Sequence, residues 1–327
     1  MKQYAILLKV NWSGKSMKVY KDFNINKNHR NSIILIGNFD GVHLGHRKLF
    51  NLAKKFSDKF KIKIGVLTFD PMPKIFFNKK IKNFKISNFE QKKNLLQELG
   101  VQFIINKKFD LSFSKTKSID FIEKIIFKKL NPKFIFVSNN FRFGNKREGD
   151  VAQLIKYEKK CGYKIIKPEP LKYKNKIASS TLVRSFLEKG HIDKANKLLN
   201  RNWTIVGKVE KGRRVGKKIG FPTCNIDIKD YVLAKPGVYA VKVNQKKVKS
   251  KLKGIANLGY RPTFNQKKLL LEVHLFNYSG NLYNKYLSVE FLKFIRAEKK
   301  FKNAKQLQSQ IKSDLMIAKK ASWVNPR

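Results

Sequence analysis

His43 and His46 bracket Leu44-Gly45, shortly after the apolar run Ile33-Ile34-Leu35-Ile36 and the turn Gly37-Asn38-Phe39-Asp40-Gly41-Val42. A buried strand, a glycine-permitted turn and a helix start together present unpaired backbone N–H groups and the positive end of a helix dipole. That is where a nucleotide's phosphates bind. Gly37, Phe39, Asp40, Gly41 and Gly45 are the candidate phosphate-binding residues of this segment, with two imidazoles beside them. Taken alone, the pair is equally readable as turn histidines satisfied locally.

Four more segments place polar groups next to buried strands. Thr68-Phe69-Asp70-Pro71 closes one strand, Val137-Ser138-Asn139-Asn140-Phe141-Arg142-Phe143-Gly144 follows another, and Ser179-Ser180-Thr181-Leu182-Val183-Arg184 follows a third; Lys146-Arg147-Glu148-Gly149-Asp150 opens a helix. Singly, Asp70-Pro71 is a strand-ending turn and the Ser-Ser-Thr run an N-cap. Together they mark the rim of a site. Farther on, Gly207-Lys208-Val209, Gly212, Gly216 and Gly220-Phe221-Pro222-Thr223-Cys224-Asn225 punctuate a β-rich stretch. This is no Walker A loop, because three residues instead of four separate Gly212 from Gly216 and no Ser or Thr follows Lys217-Lys218. It reads either as a hairpin with flexible turns or as a magnesium site, with Thr223 and Asn225 offering two oxygens from one strand face.

The elements that must hold these residues fall into two textures. From about residue 32, short apolar runs at Ile33–Ile36, Ile62–Phe69, Val101–Ile105, Phe134–Val137 and Tyr163–Ile166 alternate with helical spacings such as Leu49, Leu52, Ala53, Phe56 and Phe60, or Ile119, Ile122, Ile126 and Leu130. That alternation predicts a parallel sheet covered on both faces, whose ligand crevice lies beyond the strand ends where Gly37–His46 falls. After about residue 186 helical periodicity fades. Segments Trp203–Val209, Gly237–Val243, Leu269–Phe276 and Leu287–Phe294, separated by turn residues, predict an antiparallel barrel or sandwich. Phe301, Ala304, Leu307, Ile311, Leu315 and Ala318 then predict a terminal helix.

Composition bounds the alternatives. The 327 residues suggest two domains, 42% are hydrophobic, and no apolar run approaches the ~20 residues of a membrane helix. Ala5-Ile6-Leu7-Leu8 is too short for a signal-peptide core. Cys161 and Cys224 alone point to a reducing, cytoplasmic setting without a disulfide framework. A formal charge of +51 invites a nucleic-acid reading, but 62 Lys against 11 Arg, scattered in pairs along the whole chain, describe solvated faces. We expect no specific nucleic acid and no membrane partner, only weak polyanion binding at low salt.

Gly37–His46, the Phe-Asp-Pro segment, Asn-Phe-Arg-Phe-Gly and Ser-Ser-Thr-Leu-Val-Arg occur in the order and spacing of the bacterial bifunctional riboflavin kinase and FAD synthetase family. Gly220–Asn225, Gly254–Phe264, Leu271–Phe276 and Ile295-Arg296-Ala297-Glu298 are similar to its further signatures. The resemblance implies an α/β protein: a Rossmann-like nucleotidyltransferase domain with a parallel sheet over residues 17–186, then a riboflavin kinase-like antiparallel β-barrel with a terminal helix over 187–322. Residues 1–16 precede the family's usual start. It implies ATP as co-substrate in both steps, Mg2+, riboflavin, FMN and FAD. In the first domain His43 and His46 would stabilise charge on ATP while FMN phosphate attacks the α-phosphorus. Asp40, Asp70 and Asn140 would position adenosine, flavin or magnesium, Phe141, Arg142 and Phe143 lie in the flavin-binding segment, and Ser180, Thr181 and Arg184 would hold the triphosphate. In the second domain Gly212, Gly216 and Gly220 belong to the phosphate loop and Thr223 and Asn225 to magnesium. Glu272 matches the carboxylate that takes the riboflavin 5′-hydroxyl proton, and Arg296 lies in the segment near the flavin. Where the family more often has His, Gly and Asp, this chain has Met72, Ser138 and Asn140. Competing readings are a nucleotidyltransferase with another phosphate acceptor, a chain retaining only the kinase activity, and a basic nucleic-acid-binding protein.

Overall fold

The computed structural model describes residues 17–210, 216, 220–228, 230–245, 251–262 and 267–321. They divide into two compact units, one of residues 17–82 and 91–178, the other of 83–90 and 179–321.

In the first unit β1 (Lys18–Tyr20), β2 (Ile33–Ile36), α1 (Leu44–Phe60), β3 (Ile64–Asp70), α2 (Pro73–Phe77), α3 (Phe89–Glu98, whose first two residues group with the other unit), β4 (Phe103–Lys108), β5 (Phe134–Phe136) and β6 (Lys164–Ile166) follow in order. The six strands form one sheet in the order β1-β4-β3-β2-β5-β6, and every pairing is parallel. Alternation divides the apolar runs between two cores. Ile34 and Ile36 face Phe121, Ile122 and Ile126 of the helical stretch Ser118–Leu130, whereas Ile33 and Leu35 face Phe50 and Ala53 of α1. Each fully buried side chain of this kind stabilises by about 1.5–3 kcal/mol. The chain builds outward on one side of β2 and then returns to pair β5 on its other side, so the topological switch point lies between β2 and β5. Gly37–His46 leaves β2 at that point.

The second unit holds α4 (Ser180–Glu188), α5 (Ile192–Leu199), β7 (Trp203–Glu210), β8 (Cys224–Asp227), β9 (Gly237–Asn244), β10 (Leu252–Pro262), β11 (Lys267–Leu275), β12 (Tyr286–Ala297) and α6 (Ala304–Lys319). Its strands close into an antiparallel barrel, β7-β8-β11-β10-β9-β12, which resolves the choice between barrel and sandwich. Two helical expectations need correction. Helical periodicity does not fade after residue 186, since α5 buries Ile192, Ala195, Leu198 and Leu199. Phe301 lies outside the terminal helix because Asn303 is its N-cap, accepting the Gln306 N–H at 2.9 Å. The segment 83–90 straps onto this unit: Phe84 and Lys85 N–H groups donate to the Asp230 carbonyl, the Val232 N–H donates to Lys85, and Trp203 Nε1 donates to Ile86.

Candidate functional site

The turn after β2 is tightly wound. Phe39, Gly41 and Val42 all have positive φ, at 47°, 76° and 42°, and Phe39 and Val42 are buried. A β-branched residue in that region is strained by about 1–3 kcal/mol, which packing on every side must offset. The turn delivers His43 as the N-cap residue of α1. The His43 side chain makes no cap hydrogen bond to that helix and its first turn holds no acidic residue, so its leading N–H groups suit an anion. The His43 and His46 rings stack at 3.7 Å between centroids, and Phe39 meets His46 edge-on at 5.2 Å. Gly45 lets them close: a Cβ there would lie 2.8 Å from the Ala178 carbonyl and 3.1 Å from the His43 ring.

His43 is 3% exposed and Asp40 is 5% exposed. Burial first, then the charges of His43 and Lys92, hold His46 well below the ordinary histidine range, so it is neutral at pH 7. Its Nδ1 is buried with no hydrogen-bond partner among the described residues. A neutral His46 at a helix start gains from an arriving phosphate, whose negative charge favours its protonation.

The other predicted residues of this unit sit at strand ends or just beyond. Asp70 ends β3, before a cis bond to Pro71, and Met72 is the buried N-cap residue of α2. Ser138 donates to Asn140 Oδ1 at 2.9 Å, so two positions that depart from the family pattern bond each other. Phe141 stacks on Phe143 at 5.6 Å, and Arg142 pairs with Asp150 at 3.4 Å. Sequence reasoning missed an aromatic array beside them. Phe76, Phe77, Phe109, Phe113 and Phe69 run in successive ring contacts of 5.2–5.7 Å, and Phe113 continues through Phe121 to Phe143. The signal was Phe76-Phe77 and Phe109, each just past a sheet strand.

In the second unit Ser179 caps α4 by accepting from the Leu182 N–H at 3.2 Å, which places Ser180 and Thr181 in its first turn. Arg184 is buried, with Nε donating to Phe84 O at 2.8 Å and its guanidinium 3.7 Å over the Phe84 ring. On the barrel, Asn225 of β8 stands opposite Glu272 of β11, which stands opposite Asn257 of β10. Directly opposed residues share a face, so three oxygen-bearing side chains form one row across three strands. Buried Ala256, Leu258, Leu271 and Val273 take the other face. Asn257 was not singled out from sequence; its polarity between buried neighbours was the available sign.

Thr223 immediately precedes β8 and is exposed. Gly216 packs against it, since a Cβ at 216 would lie 3.3 Å from the Thr223 hydroxyl oxygen. His274 Nδ1 bonds Pro222 O at 2.8 Å and holds this turn. Gly220 has φ 83°; Gly212 lies outside the described residues. Burial pushes Cys224 up to about 12, so it is a packing thiol and no nucleophile. Arg296 forks onto buried Asp314 of α6, with Nε at 2.9 and 3.1 Å from the two carboxylate oxygens and Nη2 at 2.8 Å from one.

The FAD synthetase family matches residues 25–182, and the riboflavin kinase family matches 199–322. A Buchnera aphidicola protein (subsp. Schizaphis graminum) named bifunctional riboflavin kinase/FMN adenylyltransferase is 40% identical over 300 residues, covering 91% of this chain and 96% of its own. The chain belongs to this bifunctional family. Its Escherichia coli K12 member is 34% identical over 287 residues, covering 88% and 91%. A Streptococcus pneumoniae crystal structure described as a macrolide-efflux protein superposes with TM-score 0.82 at 26% identity, over 94% of this chain and 99% of that one. Among the described residues of this family member, no helix is long and apolar enough to cross a membrane.

Proposed function

We propose that the chain converts riboflavin to FMN and FMN to FAD, with residues 17–186 as adenylyltransferase and 187–322 as kinase. ATP and the flavins are the substrates and products that fit the family. In the kinase step Glu272 takes the proton of the riboflavin 5′-hydroxyl as that oxygen bonds the γ-phosphorus and ADP leaves. Thr223 and Asn225 supply hard oxygens of the kind Mg2+ accepts alongside phosphates and water; when bound, the ion neutralises charge on the triphosphate. In the adenylyl step an FMN phosphate oxygen attacks the α-phosphorus of ATP and pyrophosphate leaves, with no covalent enzyme intermediate. His43, His46 and the start of α1 stabilise the charge that develops. Asp40, Asp70, Asn140 and Phe141–Phe143 position nucleotide and flavin, and the aromatic array suits a planar isoalloxazine. The assignments of Ser180, Thr181 and Arg184 rest on the family motif and the helix start that carries them. The reading also takes the chain as a cytoplasmic enzyme without a specific nucleic-acid partner.

The observation that carries this reading is that one chain holds both a stacked histidine pair at the switch point of a parallel sheet and the Asn225–Glu272–Asn257 row on a closed barrel. The test is a time course with riboflavin, ATP and magnesium, separating riboflavin, FMN and FAD. FMN appears first and FAD follows. His46→Ala stops FAD while FMN still forms, and Glu272→Ala stops FMN while supplied FMN still becomes FAD. Formation of neither flavin by the wild type, or loss of both steps in either folded variant, refutes the two-site reading.

A further inference from the structure

Among the described residues Lys92 is the one lysine that is buried, at 9% exposure, in a chain with 62 of them. It sits on the inward face of α3, on the same stripe as Leu95 and Leu96, where helical spacing calls for an apolar residue. Its Nζ donates to the Thr68 hydroxyl at 3.0 Å and to the Asn38 carbonyl at 3.3 Å. Thr68 stands near the end of β3, and Asn38 opens the positive-φ turn that carries Phe39, Val42 and His43. Burying an ammonium is costly, and a methionine would fill the same stripe without that cost. What the lysine adds is a tie between β3 and the turn, together with a fixed positive charge felt at His46.

Resting on the adenylyltransferase reading above, we propose that Lys92 is a positioning residue of that reaction. Its ammonium anchors the Asn38 carbonyl and so fixes the turn in the one geometry that brings His43 and His46 to the nucleotide's phosphates. The strain at Phe39 and Val42 makes such an anchor necessary, because without it the turn relaxes toward ordinary φ values. The groups bearing on His46 are His43, stacked on it, Phe39, edge-on, and Lys92. Removing the Lys92 charge therefore favours protonation of His46.

The experiment uses the full chain with Lys92→Met and Thr68→Val, measuring FAD formation from FMN, FMN formation from riboflavin, and the His46 titration by histidine NMR. A displacement of reacting groups by about 1 Å costs on the order of a hundredfold. Lys92→Met is expected to lower kcat for FAD formation about ten- to a hundredfold, to leave FMN formation unchanged and to move the His46 midpoint upward. Thr68→Val keeps the charge and removes both an acceptor of Lys92 and the bond that Thr68 itself donates to Asn38 O at 3.5 Å, so it lowers kcat for FAD formation and leaves the midpoint in place. FAD formation within about twofold of wild type in a folded Lys92→Met protein, or an unmoved His46 midpoint, overturns the proposal. If Lys92→Met does not fold, Lys92→Gln takes its place: FAD formation within about twofold of wild type in that variant overturns the proposal and a lowered kcat upholds it. A wild-type protein that forms no FAD sinks the adenylyltransferase reading instead, while the His46 titration still tests whether Lys92 acts on that ring.

Discussion

Replacing Asp314 with Ala removes a carboxylate that is 1% exposed and accepts from Arg296 Nε at 2.9 and 3.1 Å, from Arg296 Nη2 at 2.8 Å and from Gln310 Nε2 at 3.0 Å. Arg296 stays behind on β12, largely buried and without its counter-charge. Breaking one side of such a pair costs about 3–5 kcal/mol, most of it the penalty of the charge left alone. The pair is also what fastens α6 to the barrel, next to the apolar contact of Ile311, Leu315 and Ala318 with Val238, Ala240 and Ile255. For a unit of this size each kcal/mol moves the melting temperature by roughly 2–4 °C, so the barrel transition should fall by about 6–20 °C. Calorimetry of the full chain, with loss of riboflavin kinase activity marking the barrel transition, reads that shift. Arg296→Met combined with Asp314→Ala should recover part of the loss, because the double variant leaves no buried charge unmatched. A fall of less than about 3 °C, or strictly additive single effects, refutes the lock. The family segment places Arg296 near the flavin, and the same variants address that role: if Arg296→Met raises KM for riboflavin while leaving the melting temperature untouched, its fork serves the flavin and not the helix.

Gly45→Ala should cut FAD formation at least tenfold and spare FMN formation, since its Cβ would press on the Ala178 carbonyl and the His43 ring; equal FAD rates would show that the stacked pair tolerates displacement. Asn257→Leu should lower kcat for FMN formation about tenfold with little change in KM for ATP, because it removes a polar neighbour of Glu272 from the row; steady-state kinetics with the unchanged FAD step as internal control check this. The first unit should lose stability in acid. His29 is held below the ordinary value of 6.5 by burial and then by Lys63 and Lys18, and His46 is lowered too, so the unfolded chain binds protons that the folded chain refuses. Stability is then present above that ordinary value and lost as pH falls below it through the lower folded values. His29→Gln, which keeps an acceptor for the Tyr20 hydroxyl now 2.8 Å from Nδ1, should flatten the pH dependence of melting; an unchanged slope would remove His29 from the account.

What the sequence revealed was what burial on two faces writes into it. β2, β3 and β5 begin as near-continuous apolar runs because both faces are covered, and the end of β2 marks where the turn carrying His43 and His46 leaves the sheet. Edges and exceptions were not legible. β1 is three residues with one buried position, and its parallel pairing to β4 is set by a neighbour far along the chain. The strap 83–90 carries no signal because its partners are main-chain groups of Asp230 and Val232 and the indole of Trp203. The row through Asn225, Glu272 and Asn257 depends on barrel register, which no single strand encodes.

Lys92 shows why a count of charges misleads. Sixty-two lysines scattered along the chain average into one net charge, and that average hides the one described lysine that is buried. Net charge adds lysines as if each saw water, whereas the one lysine felt at His46, after burial and His43, is an ammonium held where water is excluded and each charge counts for more. The discriminating sign was positional. A lysine on the apolar stripe of α3 has to be met by acceptors inside the protein, and the acceptors it meets, Thr68 and Asn38, belong to the strand end and the turn that position the histidines.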